Sequence, residues 1–452
     1  MFHRNAIDEL RKWAKTPHRK PLILRGARQV GKTTLVDEFA EDFEIYLKLN
    51  LEEEDDRNIF EQHSRMDSLL IAIYLHNEKP RKAAKTLLFI DEIQNSPKAV
   101  AKLRFFYEKA PHIHVIAAGS LLESLIDIHI HFPVGRVEYM AVRPCSFNEF
   151  LGAMGRLELK EFHQKALIPE ALHPEVLGLF NTYTLIGGMP EVVNNYAHHK
   201  DIVSLQKIYE SLLTGYRDDV EKYENGNTLQ HVLQHILNVG WTYASQRITF
   251  ERFGNSAYRS REMSEAFKIL EKAMLLELAY PTTSELIPLV PEPKRAPKLL
   301  WFDTGLVNYA AGLQKELFGR LDIRDAWRGM IAEHIVGQAL LTSDHRFSHR
   351  RNFWMRDANG STAEVDYVIQ IDNQLVPIEV KAGHNAKLRS LHQFMDKVSH
   401  KTAIRFWCNP LSVDKVKTPS GKEFLLYNLP YYYAGQINEI VNNQKYNIKN
   451  IK

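Results

Sequence analysis

The chain has 452 residues, 44% of them hydrophobic and 25% charged, with a net charge of +3 and two cysteines. That is ordinary globular composition with room for about three domains, and its near neutrality means that any basic surface must be local. Cys145 and Cys408 are far apart and without neighbours at metal-ligand spacing, so neither a disulfide framework nor a zinc site is indicated. In chain order, the first segment, Met1-Phe2-His3-Arg4-Asn5-Ala6, runs into an amphipathic stretch with Asp8 and Glu9 rather than a signal peptide. No apolar run reaches membrane-spanning length, so a cytoplasmic protein without membrane association is expected.

The stretch Pro21 to Leu35 reads PLILRGARQVGKTTL: a short strand-like run, a glycine-bounded turn, and then a helical pattern from Lys32 to about Ala40. Gly26 and Gly31 let the backbone of Ala27, Arg28, Gln29 and Val30 curl so that successive N–H groups point inward on a phosphate. Lys32 reaches the β and γ phosphates, the Thr33 hydroxyl suits Mg²⁺, and the helix opened by Lys32, Thr33 and Thr34 adds the positive end of its dipole. A nucleoside triphosphate such as ATP, with Mg²⁺, is the ligand this pattern implies.

A second apolar run, Thr86 to Ile90, reads as a buried parallel strand and ends in Asp91-Glu92. Asp91 would hold the Mg²⁺ water shell and Glu92 would polarise the attacking water. A third strand, His114 to Ala118, ends at Gly119-Ser120, and because ligands lie beyond the carboxyl ends of parallel strands, Ser120 either helps to place that water or caps the helix that follows. Arg136, in Phe132-Pro133-Val134-Gly135-Arg136-Val137, either neutralises transition-state charge, within the chain or across a subunit boundary, or is a solvated surface group. The His129-Ile130-His131 alternation reads as structural rather than as a metal site.

The runs from Arg25 to Thr33 and from Phe89 to Gln94, Ala118-Gly119-Ser120, Phe132 to Arg136 and Pro144 to Phe150 together resemble prokaryotic P-loop ATPases of the AAA superfamily. Those proteins carry a C-terminal domain of unknown function related to restriction-type nucleases. The resemblance implies an ATPase core with a glutamate base and supports the roles given to Lys32, Thr33, Asp91, Glu92 and Ser120. It also implies that homo-oligomeric rings or filaments are open to the chain, with Arg136 then acting on a neighbour's nucleotide. Arg143-Pro144-Cys145 departs from the family pattern, where small apolar residues would be expected around the proline.

Tyr183 to Pro190, YTLIGGMP, is a Gly-Gly turn between helical patterns that looks like the family's hinge. Helical periodicity runs from Ile202 to about Tyr223 and breaks at Asn225-Gly226-Asn227. Three short helices are predicted next, marked by Leu229 to Ile236, Ile248 to Phe253 and Ser260 to Ala273, with strand-like pieces at Leu275 to Tyr280 and Leu286 to Val290. That order suits a winged helix. Arg247, Arg252, Arg259, Arg261, Lys268 and Lys272 make a DNA-facing surface one reading, but Glu262, Glu265 and Glu271 interrupt the charge, and a structural or partner-docking face is the other. Pro291 to Pro297 is a connector.

The C-terminal third reads as a helix from Trp327 to Leu341 with Glu333 on its margin, strands at Asn352 to Met355, Glu364 to Ile369 and Leu375 to Lys381, a helix from Ala386 to Ser399 and a strand from Thr402 to Trp407. In this αβββαβ order, strand period and hairpin pairing bring Asp366, Glu379 and Lys381 to one side. Two acids and a helix acid can hold Mg²⁺ while a lysine orients a water. The stretch resembles metal-dependent phosphodiesterases of the restriction-endonuclease type, some of which place glutamine where Gln393 stands. The ExK element alone signals nothing, as Glu292-Pro293-Lys294 illustrates; the order helix acid, hairpin Asp, strand ExK is what counts. A nuclease site and a domain that merely binds nucleic acid, a partner or the ATPase both fit.

The expected fold class is α/β: a P-loop AAA-type parallel-sheet ATPase domain over residues 1–182, a helical hinge and winged-helix-like domain over 183–297, and a restriction-endonuclease-like domain over 298–452. Two functions follow, an ATP-hydrolysing DNA-acting enzyme or an ATP-dependent switch or scaffold that docks partners. The polar tail from Gln444 to Lys452 is expected to fray.

Overall fold

The computed structural model describes residues 2–119, 133, 135–221, 227–312, 329–357, 363–381 and 388–442. Five parallel strands form the N-terminal sheet: β1 (Leu22–Arg25), β2 (Ile45–Asn50), β3 (Thr86–Asp91), β4 (Ile113–Ala118) and β5 (Glu138–Ala141), in the order β2-β3-β4-β1-β5. Every residue of β1, β3 and β4 is buried. A parallel strand covered on both faces requires this, which is why these three appear as unbroken apolar runs. β2, at the sheet edge, alternates buried and half-buried positions instead. Leu24, Phe39 and Ala118 belong to the core on one face; Ile23, Ile90 and Leu103 belong to that on the other. The expected parallel α/β sheet is therefore present, with β4 seated between β1 and β3.

The middle region departs from expectation at two elements. Residues 248–252 are not helical and Phe253 only opens a short 3-10 turn, Phe253–Asn255: Ile248 N–H donates to Pro297 O at 2.9 Å, and Arg247 bridges to Lys298 in antiparallel fashion. Arg252, Gly254 and Asn255 have φ of 53°, 62° and 60°, left-handed values that a continuous right-handed helix cannot pass through. Residues 286–290 form no strand, since Pro288 lacks a ladder donor and Pro291 follows. β6 (Leu276–Ala279) pairs instead with β8 (Lys298–Trp301), while β7 (Pro281–Thr282) leaves to join the C-terminal sheet. The helices Gln206–Glu221, Asn227–Val239 and Ser260–Lys272 lie where periodicity placed helices.

The C-terminal sheet contains β9 (Asn352–Met355), β10 (Glu364–Ile371), β11 (Gln374–Val380), β12 (Thr402–Trp407), β13 (Ser412–Lys417) and β14 (Glu423–Pro430), in the order β13-β14-β12-β11-β10-β9-β7. The β10–β11 hairpin turns at Asp372, whose φ is 50°. The helices Met330–Thr342 and Arg389–Lys397 stand where they were expected, shorter in their described parts. One apolar cluster runs from Leu24 and Phe39 through Phe180, Tyr209 and Trp241 to Tyr367 and Tyr431, so the three regions share a core. Among the described residues no helix is long and apolar enough to cross a membrane.

The Gly187-Gly188 turn is clamped between these regions. Gly187 has φ 72°, and a Cβ there would meet Asp303 Oδ1 at 2.4 Å; one on Gly188 would meet Cys145 O at 2.3 Å. Gly188 N–H donates to Asp303 Oδ2 at 2.6 Å, Leu306 N–H donates to Asp303 Oδ1 at 3.0 Å, and Asn308 Nδ2 donates to Thr184 O and Leu185 O. Gly188→Ala should therefore destabilise the chain by about 1–3 kcal/mol through forced backbone displacement. Gly215→Ala, in the Gln206–Glu221 helix with nothing within 4 Å of its added Cβ, should stabilise by about 0.5–1 kcal/mol. Denaturant midpoints of the two variants, read side by side, check both signs.

Candidate nucleotide site and acid cluster

The loop from Gly26 to Gly31 leaves β1 and enters the helix Lys32–Phe39, with Gly31 as a left-handed N-cap at φ 86° and Gln29 at φ 63°. Gly26 has no room for a side chain: a Cβ would lie 2.4 Å from Val142 O. Ala27 and Val30 are buried, while Arg28 is half-buried and Gln29 and Thr34 are exposed. Lys32 is buried, and its Nζ donates to Gly26 O and Ala27 O at 3.0 Å each, so the ammonium sits inside the loop it would serve. Burial lowers the Lys32 pKa to about 8 despite Glu92 and Asp91 nearby.

Across the sheet, Thr33 Oγ1 donates to Asp91 Oδ2 at 2.6 Å, joining the two oxygens that Mg²⁺ chemistry calls for. Glu92 follows in a left-handed conformation, φ 48°, its N–H on Asp91 Oδ1 at 3.1 Å. Its carboxylate accepts from Gln94 Nε2, and burial raises its pKa, the direction that suits a proton acceptor held out of water. Gln94 as the holder of Glu92 was not foreseen, although it lies in the same short motif. Ser120 lies outside the described residues, as do His129 and His131. The preceding β4 ends at Ala118 between β1 and β3, so the chain emerges beside the loop and Asp91. Arg136 makes its contacts elsewhere: Nε to Glu108 Oε1 at 3.1 Å and its guanidinium over Tyr107 at 5.8 Å, on a half-exposed surface.

Two distant segments grip the loop. Arg4 donates from Nε to Glu149 Oε1 at 2.9 Å, from Nη1 to Val30 O at 3.2 Å and from Nη2 to Arg143 O at 2.8 Å. Burial works against the Glu149 charge, but Arg4 and the N–H groups of Ser146 and Asn5 outweigh it and hold the carboxyl below its usual range. From the Gln206–Glu221 helix, Asp219 Oδ1 accepts from Arg28 Nη1 at 2.5 Å and Tyr216 OH donates to Arg28 O at 3.1 Å. Lys32, with its pKa pulled below that of the unfolded chain, loses its proton as pH rises through about 8. A bound polyphosphate restores the charge. ATP binding above that pH should thus take up protons and weaken with further alkalinity; calorimetry in buffers of differing ionisation enthalpy measures both, and pH-independent binding without proton uptake would contradict it.

In the C-terminal sheet Asp366, Glu379 and Lys381 do come together. Asp366 Oδ2 accepts from Val380 N–H at 2.7 Å, and Lys381 Nζ lies 2.5 Å from Glu379 Oε1, whose other oxygen is buried without a partner among the described residues. Burial and then the Asp366 charge raise the Glu379 pKa; burial raises that of Glu333. Gln393 is not drawn in, accepting from Arg356 Nη1 at 3.4 Å. The unexpected member is Lys298. It is 2% exposed, and its Nζ sits 2.7 Å from both Glu333 Oε1 and Glu364 Oε1 and 3.4 Å from Asp366 O. Burial opposes its charge and the carboxylates outweigh burial. Among the described residues no group of three or more His, Cys, Asp or Glu is arranged to hold a metal ion. Lys298→Met should cost about 3–5 kcal/mol by stranding two acids, and adding Glu333→Gln should recover part of it; the unfolding midpoints of single and double variants decide.

Residues 18–151 match the family model described as AAA domain, residues 177–317 that described as domain of unknown function (DUF8612), and residues 328–414 that described as domain of unknown function (DUF4143). No curated protein matches the chain. Among solved structures, the Walker-type ATPase PABY2304 of Pyrococcus abyssi is similar at 13% identity over 69% of this chain and 96% of that one, with a TM-score of 0.46. The RuvB Holliday junction branch migration motor of Thermotoga maritima is 13% identical over 62% and 90%, TM-score 0.27. The ORC1 protein of Aeropyrum pernix, solved in complex with DNA, is 12% identical over 69% and 93%, TM-score 0.28. Such scores carry no argument about activity. The family match over 18–151, the five-stranded parallel sheet and the loop around Lys32 together make the N-terminal part of this chain a P-loop domain of the AAA type.

Proposed function

We propose that the chain binds and hydrolyses ATP with Mg²⁺. The observation that carries this reading is the Thr33–Asp91 pair beside a buried Lys32 at the ends of β1 and β3. Lys32 would grip the β and γ phosphates, Thr33 and Asp91 would hold the metal, and Glu92, steadied by Gln94, would take the proton of the attacking water. Mg²⁺ would supply charge neutralisation on the transferred phosphoryl group. Ser120, after β4, would help to orient the water, and Arg136, half-exposed, would serve a neighbouring copy's nucleotide in a homo-oligomer. Lys32→Ala is expected to abolish ATP binding or turnover, whereas Glu92→Gln should retain nucleotide while turnover falls by about 10²-fold or more. Normal turnover by the Glu92→Gln protein would overturn the base assignment.

For the rest of the chain, the convergence of Asp366, Glu379 and Lys381 supports a DNA-acting protein with a restriction-endonuclease-like, Mg²⁺-dependent nuclease site. A second reading is favoured by one observation: the Lys298 ammonium lies between Glu333 and Glu364 and pairs with both, in the place a metal ion would take. On that reading the C-terminal domain lacks cleavage activity and nucleotide state governs docking of a partner. Cleavage of DNA in Mg²⁺ or Mn²⁺ by the wild-type protein and not by Asp366→Ala selects the first; equal background from both selects the second.

A further inference from the structure

Where the end of β5 meets β6 and the 344–351 segment lies a cavity of about 110 Å³ that the nucleotide site does not use. Four basic side chains, Arg143, Lys272, Arg350 and Arg351, line it against two acids, Glu271 and Glu277. One of the acids is already committed: Glu277 accepts from Arg351 N–H at 2.6 Å and from Arg351 Nε at 3.1 Å. The other, Glu271, accepts from Leu278 N–H at 3.0 Å.

The arginines have donors left over. Arg143 is 7% exposed, and its Nε and Nη2 are buried with no acceptor among the described residues; Arg351, 4% exposed, has the same at Nη1. A guanidinium is always charged and carries five donors, and burying it unpaired is costly. Three buried guanidinium nitrogens without an acceptor among the described residues, on two arginines that line one small cavity, mark it as a place for a hydrogen-bond acceptor. Burial works against the Arg143 charge. A cation would leave that cost in place and a neutral acceptor would meet only the donors, whereas an oxyanion meets the donors and offsets the buried charge. The cavity is larger than the roughly 30 Å³ that one water occupies, and planar guanidinium forks match phosphate oxygens.

We propose that this cavity binds a phosphate group through Arg143, Arg351 and the exposed Arg350. Arg143 belongs to the Arg143-Pro144-Cys145 stretch in which this chain departs from the family pattern, and the site gives that departure a chemical reason. It is distinct from the phosphate loop yet touches its floor. Arg143 follows Val142, whose carbonyl fills the space beside Gly26, and Arg25, the residue before Gly26, lays its guanidinium over Phe347 on the cavity wall at 4.7 Å.

The test uses the full chain carrying Lys32→Ala, so that the nucleotide loop does not compete for the probe. Calorimetric titration with inorganic phosphate should give a single site, and Arg143→Gln or Arg350→Gln in the same background should each weaken it by about tenfold or more. Arg350 is exposed, so its variant folds even where Arg143→Gln does not. A short single-stranded oligonucleotide forms the second arm. Competition with phosphate, lost in Arg350→Gln, assigns a nucleic-acid backbone phosphate; phosphate binding without competition assigns a small phosphorylated molecule. Absence of phosphate binding by folded Lys32→Ala protein, or an affinity unchanged by Arg350→Gln and Arg143→Gln alike, overturns the proposal.

Discussion

The Asp303 carboxylate is the point on which the arrangement of the chain depends. Fully buried, it accepts from Gly188 N–H at the exit of the ATPase part and from Leu306 N–H at the start of the Thr304–Ala310 helix, while Gln338 of the Met330–Thr342 helix approaches it at 3.5 Å and also bonds Tyr183 OH and Thr304. Burial pushes its pKa up to about 6, against the N–H groups that favour the charge. A charge held out of water in this way is costly to leave unpaired and tightly specifies its partners. The glycines at 187 and 188 let the backbone approach that carboxylate and Cys145 closely enough for the network to close. What looks in the sequence like a flexible Gly-Gly link is therefore a packed joint of three segments.

The nucleotide loop is built into this joint rather than hung from it. Tyr216, which bonds the Arg28 carbonyl, packs edge-on against Phe302, the residue next to Asp303. Asp219 meets the Arg28 guanidinium in the same helix, and Arg4 ties the opposite side of the loop to the Glu149 capping box. A loop so held is fixed in shape before any ligand arrives, which would lower the entropic cost of binding a polyphosphate there.

The loop and the acidic strand end that frame the candidate site were legible because they are contiguous in sequence: Gly26 to Thr34 as a loop and helix start, and Asp91-Glu92 at the end of an apolar run. β1, β3 and β4 were readable because burial on both faces leaves an unbroken apolar signature. What escaped notice depends on long-range pairing or on backbone sign. Arg28 and Asp219 are 191 positions apart, and Lys298 and Glu333 are 35 apart; Lys298 begins an otherwise ordinary strand, KLLW, that gives no hint of two carboxylates. Residues 248–253 carry helix-like apolar spacing, yet periodicity is blind to the positive φ of Arg252 and its neighbours. Period-two alternation does mark β2, Ile45–Asn50, whereas the two valines of β13, Val413 and Val416, are three apart and give no such signal. Gln393 was assigned by analogy with nucleases, and its partner Arg356 could not be inferred from spacing.

Trp241 and Trp301 stack with ring centroids 3.7 Å apart, each indole N–H bound to a backbone carbonyl, and Trp301 ends the strand that leads into Asp303. Two indoles this close and this fixed couple their electronic transitions, so the pair is an intrinsic chromophore with its own near-ultraviolet dichroism band. Because it sits beside the joint and on the path toward Tyr216, a shift in the relative seating of the domains during the nucleotide cycle would be visible in that band without any label being attached.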